Sequence, residues 1–335
     1  MSQAFASVSY VAWLAWTSDL VPDEIRGTFF GTRNMLCGVA GIAAVLIFGN
    51  LVDVFRSHAG GSAFAIGVPF SCAVLFGLIS ARYLNRVSET GAPSSCTQNM
   101  LHELIKPFRE TNFRNFLFFN LAWNFSVYLS APFFALYFLR ELNYSYGFVA
   151  LLTTISAVVD LVGMKFWGAV SDRVKNRAVI QVAGWGVVML PSMWVMVRPH
   201  DVLLPMLIQA ISGGFWAGVN LCIHNMNLRI SPRESRVWFI SAYNITSGLG
   251  AAMAPVIAGA VLSMLPSQLS GPGGMTILPL HYLFFASTVL RVVSLLVFRS
   301  VHEPQEATAR ELLALLSRSA RPALAKAESI NSVHP

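Results

Sequence analysis

The residues best placed to do chemistry in this chain of 335 residues are a few ionisable side chains set within long apolar runs. Asp160 lies eight residues before Gly168, about 12 Å by helical rise, near mid-membrane if the run Gly147 to Gly168 crosses one. It is the one acid at that depth, a candidate proton carrier that alternates between charged and neutral forms as access changes. The alternative is a structural ion pair. Lys165, five positions on, sits on the wrong helical face for a close partner, so that partner has to come from another helix. Arg291 is equally deep, eight residues before Arg299, where snorkelling or packing suits its long stem. Near the end of an apolar run, Asp172 can accept from the free amides of a neighbouring helix or cap its own turn.

Neutral polar residues recur at helical spacing. Asn120, Asn124 and Tyr128 step by four, and Thr153, Ser156 and Asp160 share a face of the next run. Gln209, Trp216, Asn220 and Asn227 mark a third stripe, and Asn244 with Ser247 a fourth. Such stripes line a solute path or bond helix to helix. Aromatic and uncharged lining suits a neutral or weakly charged organic solute. A Gly-x-x-x-x-Gly-Lys-Ser/Thr loop and a His-Glu-x-x-His pair are both absent, and the four cysteines lack metal-type spacing. No cofactor or metal is expected, and energy has to come from a gradient or from the substrate. His224 with Asn225 is the nearest approach to a catalytic pair and lacks an acid or metal partner, which leaves a membrane-embedded enzyme as the weaker alternative.

The elements that position these residues follow from composition. The chain is 55% hydrophobic and 12% charged with mean hydropathy +0.59, against about 25% charge in soluble domains. A soluble enzyme, a nucleic-acid reader and a disordered chain are excluded. Apolar runs predict nine spans: Met1 to Ser18, Thr28 to Gly49, Phe64 to Leu84, Phe113 to Leu139, Gly147 to Gly168, Ala178 to Val197, Leu203 to Met226, Val237 to Leu262 and Leu278 to Phe298. The fold class is an all-α integral membrane protein, since runs this long are helices rather than barrel strands. Nineteen of the 23 Lys and Arg fall in loops on one side, which the positive-inside rule makes cytoplasmic. The charge of +7 is thus a topology signal, and no nucleic-acid partner is expected.

An internal repeat organises the spans. A shift of 210 residues superposes Pro22 to Gly49 on Pro232 to Gly259 with nine identities in 28 positions, where composition alone gives about two. Pro22, Glu24, Arg26, Phe29, Asn34, Gly38 and Gly49 meet Pro232, Glu234, Arg236, Phe239, Asn244, Gly248 and Gly259. Both copies enter a span from the cytoplasmic side, as in parallel repeats about an axis along the membrane normal. The same shift leaves the spans from Phe113 to Val197 without partners, so the chain is expected to lack about three helices of a two-times-six arrangement. A nine-span protein or a truncated, non-transporting sensor is the other reading.

At this point the sequence resembles the major facilitator superfamily of secondary transporters. The segment Gly168-Ala-Val-Ser-Asp172-Arg173-Val-Lys-Asn-Arg177 is similar to its Gly-x-x-x-Asp-Arg-x-Gly-Arg-Arg signature loop, with departures at Lys175 and Asn176 where the family has Gly and Arg. The two Pro-x-x-x-Arg loops, Pro22 to Arg26 and Pro232 to Arg236, carry the rest of the likeness. The resemblance implies two pseudo-symmetric six-helix halves, the N-terminal one incomplete. Residues 1–86 would form that partial half, 87–111 a cytoplasmic linker with a surface helix, 112–300 the C-terminal half and 301–335 a cytoplasmic tail. It also implies a cytoplasmic gate of Gly168, Asp172, Arg173, Arg177, Glu234, Arg26 and Arg236. In that gate Gly168 permits close helix approach, Asp172 faces the helix starting at Gly27 and Thr28, and Arg173 or Arg177 lies near Glu234. The polar stripes would line a substrate cavity between the halves. Expected partners are a small-molecule substrate, lipid and protons, with the chain a monomer, multi-pass in the cell (inner) membrane.

Overall fold

The computed structural model of the chain describes residues 23–58, 62–86, 100–232, 235–265, 269–270 and 276–303. The expected first span, residues 87–99 of the expected linker, Glu234 and the expected tail beyond residue 303 lie outside them. Among the described residues are nine α-helices: α1 (Asp23–His58), α2 (Ser62–Leu84), α3 (Met100–Arg109), α4 (Thr111–Leu136), α5 (Tyr146–Val174), α6 (Asn176–Trp194), α7 (Leu203–Ile230), α8 (Arg236–Met264) and α9 (Pro279–Phe298). A two-residue antiparallel ribbon, Leu269–Ser270 against Thr276–Ile277, lies between α8 and α9. Seven of these described helices are long and apolar enough to cross a membrane. The 19-residue α6 opens on Asn176 and Arg177 and is less apolar, yet it is packed between α7 and α9 as part of the bundle.

Helix ends and membrane ends differ. α1 runs on from Gly49 to His58, and α5 passes Gly168 to reach Val174. Charged residues take a chain out of lipid without ending its helix, which stops only where the backbone is forced out of the α region.

From α4 onward the helices form an arc in which each packs on the next: α8, α4, α9, α6, α7, α5. α1 packs on α5, α2 on α1, and the short α3 on α8, with its Lys106 paired to Glu103. Two seams are set by missing side chains. A Cβ on Gly213 would overlap the Ser156 carbonyl of α5, and one on Gly250 would stand 2.7 Å from the Leu121 carbonyl of α4. Small residues let backbones approach where lipid offers no hydrophobic drive to do so. Aromatic clusters fill both ends of the bundle. Phe113 meets Phe239 and Phe119 meets Phe298 at the arginine-rich end. Phe134 stacks on Phe284 at the other, where a π-turn, Tyr137–Glu141, extends α4. In the loop that follows, the Tyr144 hydroxyl donates to the Asp201 carbonyl at 2.6 Å. Burial and the nearby Asp201 push that phenol up to about 12, so it keeps its proton for this bond.

Internal prolines explain where Arg291 goes. Pro191 lies inside α6 and has no N–H for the carbonyl four residues earlier, which is Val187. An orphaned carbonyl in lipid costs several kcal/mol. The Arg291 guanidinium of α9 donates to it at 2.9 Å, with the Ser130 hydroxyl at 3.4 Å. Arg291 is 3% exposed, so of the two roles open to it snorkelling is ruled out and packing holds.

Candidate functional site

At the arginine-rich end the signature segment is mostly helix rather than the loop expected. α5 continues through Asp172 and Arg173, and Lys175 alone makes the turn into α6, with φ 71° and ψ 165°. That backbone region is almost a glycine preserve and costs a side-chain-bearing residue about 1–3 kcal/mol. Lys175 stands where the family signature has Gly, and it adopts the conformation a glycine would. Lys175→Gly is expected to raise stability by about 1 kcal/mol, after the extra chain entropy of a glycine is subtracted. Thermal unfolding in detergent checks this; a lower midpoint would mean that the lysine side chain contributes more than its backbone costs.

Gly168 is not a point of close approach among the described residues. A Cβ there would meet only a Leu221 side-chain atom, at 3.7 Å, whereas α5 and α7 come closest at Gly213 and at Gly163. Asp172 and Arg173 are exposed, and their side chains make no hydrogen bond within the described residues. Of Arg26 the structure describes the backbone, inside α1. Arg236 starts α8, with its Nε buried and unpartnered among the described residues.

Arg177 is drawn to the end of α9 instead. Its guanidinium donates to the Arg299 carbonyl at 2.9 Å, and its backbone N–H to Glu303 Oε2 at 2.7 Å. Glu303 is 2% exposed and also accepts from Asn176 Nδ2 at 2.9 Å and Arg229 Nη1 at 3.1 Å. Lys175, the residue preceding α6, supplies no side-chain cap, so the Glu303 carboxylate satisfies an opening amide of α6 from the far end of the half. Sequence reasoning missed Glu303. The available signal was an acid five residues beyond the last apolar run, amid basic neighbours.

Deeper in the bundle, Asn120 of α4 is 1% exposed and lies inside the seam with α8. Its Nδ2 is 2.9 Å from the Tyr243 carbonyl and 2.8 Å from both Thr246 Oγ1 and Ser247 Oγ. Asn124, half-buried, donates to Asn120 Oδ1 at 2.9 Å. Helix-to-helix bonding therefore accounts for Asn120. Half-buried Trp216 of α7 meets Trp123 of α4 edge-on, with ring centroids 6.1 Å apart. Tyr128, Gln209 and Asn244 are half-buried and Asn220 is exposed, and no hydrogen bond joins them to the Asn120 group. On α5, the exposed Thr153 bonds its own helix at Val149, and Ser156 faces Gly213. Half-buried Asp160 lies between the α5 stripe that faces α1, marked by Thr153 and Ala157, and the stripe that faces α7, marked by Ser156 and Gly163. It has no hydrogen-bond or ion-pair partner among the described residues, and Lys165 points elsewhere as an exposed side chain.

Long apolar helices, glycine-tight seams and a polar interior define a multi-pass helical membrane protein. The sequence matches the Major Facilitator Superfamily over residues 116–328, and the chain belongs to that superfamily, whose work is membrane transport. Its fold is similar to that of a bacterial homologue of the human lysosomal transporter Spinster, solved inward-facing and unoccupied. The likeness has TM-score 0.54 at 14% identity and covers 86% of this chain and 75% of that one. A bacterial homologue of the iron transporter ferroportin, outward-facing, aligns at TM-score 0.43 and 16% identity, covering 74% of this chain and 58% of its own. No curated protein matches the sequence.

Proposed function

We propose that the chain moves a small organic solute across the cell (inner) membrane by alternating access, driven by protons through Asp160. The observation that carries this is an acid held within the membrane-spanning part of α5, half-buried and without a partner among the described residues. An intramembrane acid is costly unless it works, and titration coupled to access is the work available to it. The solute would sit between halves near the midplane, against Asn124, Tyr128, Thr153, Gln209, Trp216, Asn220 and Asn244. In this reading residues 1–86 belong to the N-terminal half, 87–111 to the linker, 112–300 to the C-terminal half and 301–335 to the tail, with nine spans and a monomeric chain. Asp172, Arg173, Arg177, Arg26, Arg236 and Glu234 form the cytoplasmic gate.

The test is counterflow in proteoliposomes. Vesicles preloaded with sugars, amino acids, nucleosides or amphipathic organic ions are diluted into a trace of the labelled solute. Exchange of one class, followed by accumulation when the outside is acidified, supports the proposal. No exchange of any class at any imposed proton gradient overturns it.

A further inference from the structure

α1 and α5, which the repeat assigns to opposite halves, are locked together at the end remote from the arginine-rich loops. A Cβ on Gly49 would stand 2.5 Å from Ala150 Cβ and 3.2 Å from the Tyr146 carbonyl, so the two backbones touch there. One turn further along α1, the Asp53 carboxylate accepts the Tyr146 N–H on Oδ1 at 3.0 Å and the Gly147 N–H on Oδ2 at 2.5 Å. These are opening amides of α5, left without intrahelical partners and lying at its positive end. Ser145 caps the next free amide, that of Phe148, at 3.1 Å. Toward the inner end the same two helices part. A Cβ on Gly38 or Gly41 would meet nothing within 4 Å among the described residues, and a groove of about 230 Å³ opens between these glycines and Thr153, Thr154 and Ala157. Among the described residues the pair is close at Gly49 and Asp53 and parts toward Gly38.

We propose that Asp53 is the outer latch of the transport cycle: its carboxylate on the first amides of α5 holds the outer ends of the halves together, and both bonds break when the outer side opens. This rests on the alternating-access reading. Asp53 is a positioning residue, since nothing places it against solute. Its two bonds fit a latch because both draw on one carboxylate, so a single side chain closes the seam and its withdrawal breaks both.

The experiment reads accessibility and needs no solute, so a failed latch and a failed transport reading appear in different measurements. Thr153→Cys, about 10 Å below the latch by helical rise, is placed in full-length protein whose native cysteines are replaced by serine. Right-side-out vesicles are treated with a membrane-impermeant maleimide. Labelling is expected to be slow with Asp53 present and at least about tenfold faster with Asp53→Ala, since each of the two bonds lost controls a shift of about that size. Asp53→Asn, which keeps one acceptor oxygen, should lie between. Equal rates in all three overturn the proposal. If the alanine protein does not fold, Asp53→Asn carries the test by itself: faster labelling at position 153 than with Asp53 supports the latch, and an equal rate overturns it.

Discussion

Glu303→Ala is expected to cost about 3 kcal/mol or more, the scale on which removing one partner of a buried charged cluster destabilises a protein. The substitution leaves Asn176 Nδ2, the Arg177 amide and the Arg229 guanidinium without the carboxylate that all three now address. Asn176 is 7% exposed, so water does not readily replace the lost acceptor there. Arg229 is about one-third exposed and recovers part of its share by hydration, which keeps the total near the lower bound. Glu303→Gln retains one acceptor and the shape of the side chain but not the charge, and it should lose about half as much. Thermal unfolding in detergent reads both variants. A Glu303→Ala protein that melts with the wild type would show that α6 holds its position without this cap.

The second large effect is on energy coupling. With one proton carried per cycle, each pH unit across the membrane supplies 1.36 kcal/mol, or tenfold accumulation of a neutral solute. A gradient of two units should therefore support about 100-fold accumulation by the wild type. Asp160→Asn keeps the size and hydrogen-bonding capacity of the side chain but cannot titrate. It is expected to collapse accumulation to about the equilibrium ratio of one while leaving counterflow, which needs no net proton movement, close to wild type. Accumulation that survives in Asp160→Asn would remove this residue from coupling and return it to the structural role that remained open for it. Loss of counterflow together with accumulation would likewise argue that Asp160 shapes the bundle or the solute path instead of carrying the proton.

Hydropathy, charge and spacing in the chain were enough to place most of the described helices. The runs Phe64 to Leu84, Leu203 to Met226, Val237 to Leu262 and Leu278 to Phe298 agree with α2, α7, α8 and α9 to within a few residues. In lipid a long apolar run has no option but helix, because every backbone group must be satisfied within the segment. The helix-facing stripes were legible too, but their purpose was not. Asn120 and Asn124 share a stripe four residues apart, yet Asn120 is spent inside the α4–α8 seam and Asn124 is half-buried beside it. Spacing gives a face, and only the neighbouring helix says whether that face meets a partner or a cavity.

Backbone demands were hidden for a similar reason. The signature suggested a loop from Gly168 to Arg177, whereas the chain stays helical to Val174 and turns on Lys175 alone. Polarity marks the membrane boundary and is indifferent to dihedral angles, so the single strained residue carried no signal beyond its departure from the family glycine. Arg291 shows the limit most clearly. Its depth was readable as a count from Arg299, but its partner, the Val187 carbonyl, is orphaned by Pro191 on a helix about 100 residues away in the chain. The sequence by itself determined that this protein is a bundle of membrane helices with most of its basic residues in loops at one end, because those properties are local and additive along the chain. Which polar groups pair, which helix end Glu303 caps and where Asp53 closes the outer seam were decided by tertiary structure alone, because a hydrogen bond depends on a distance between helices that no single segment contains.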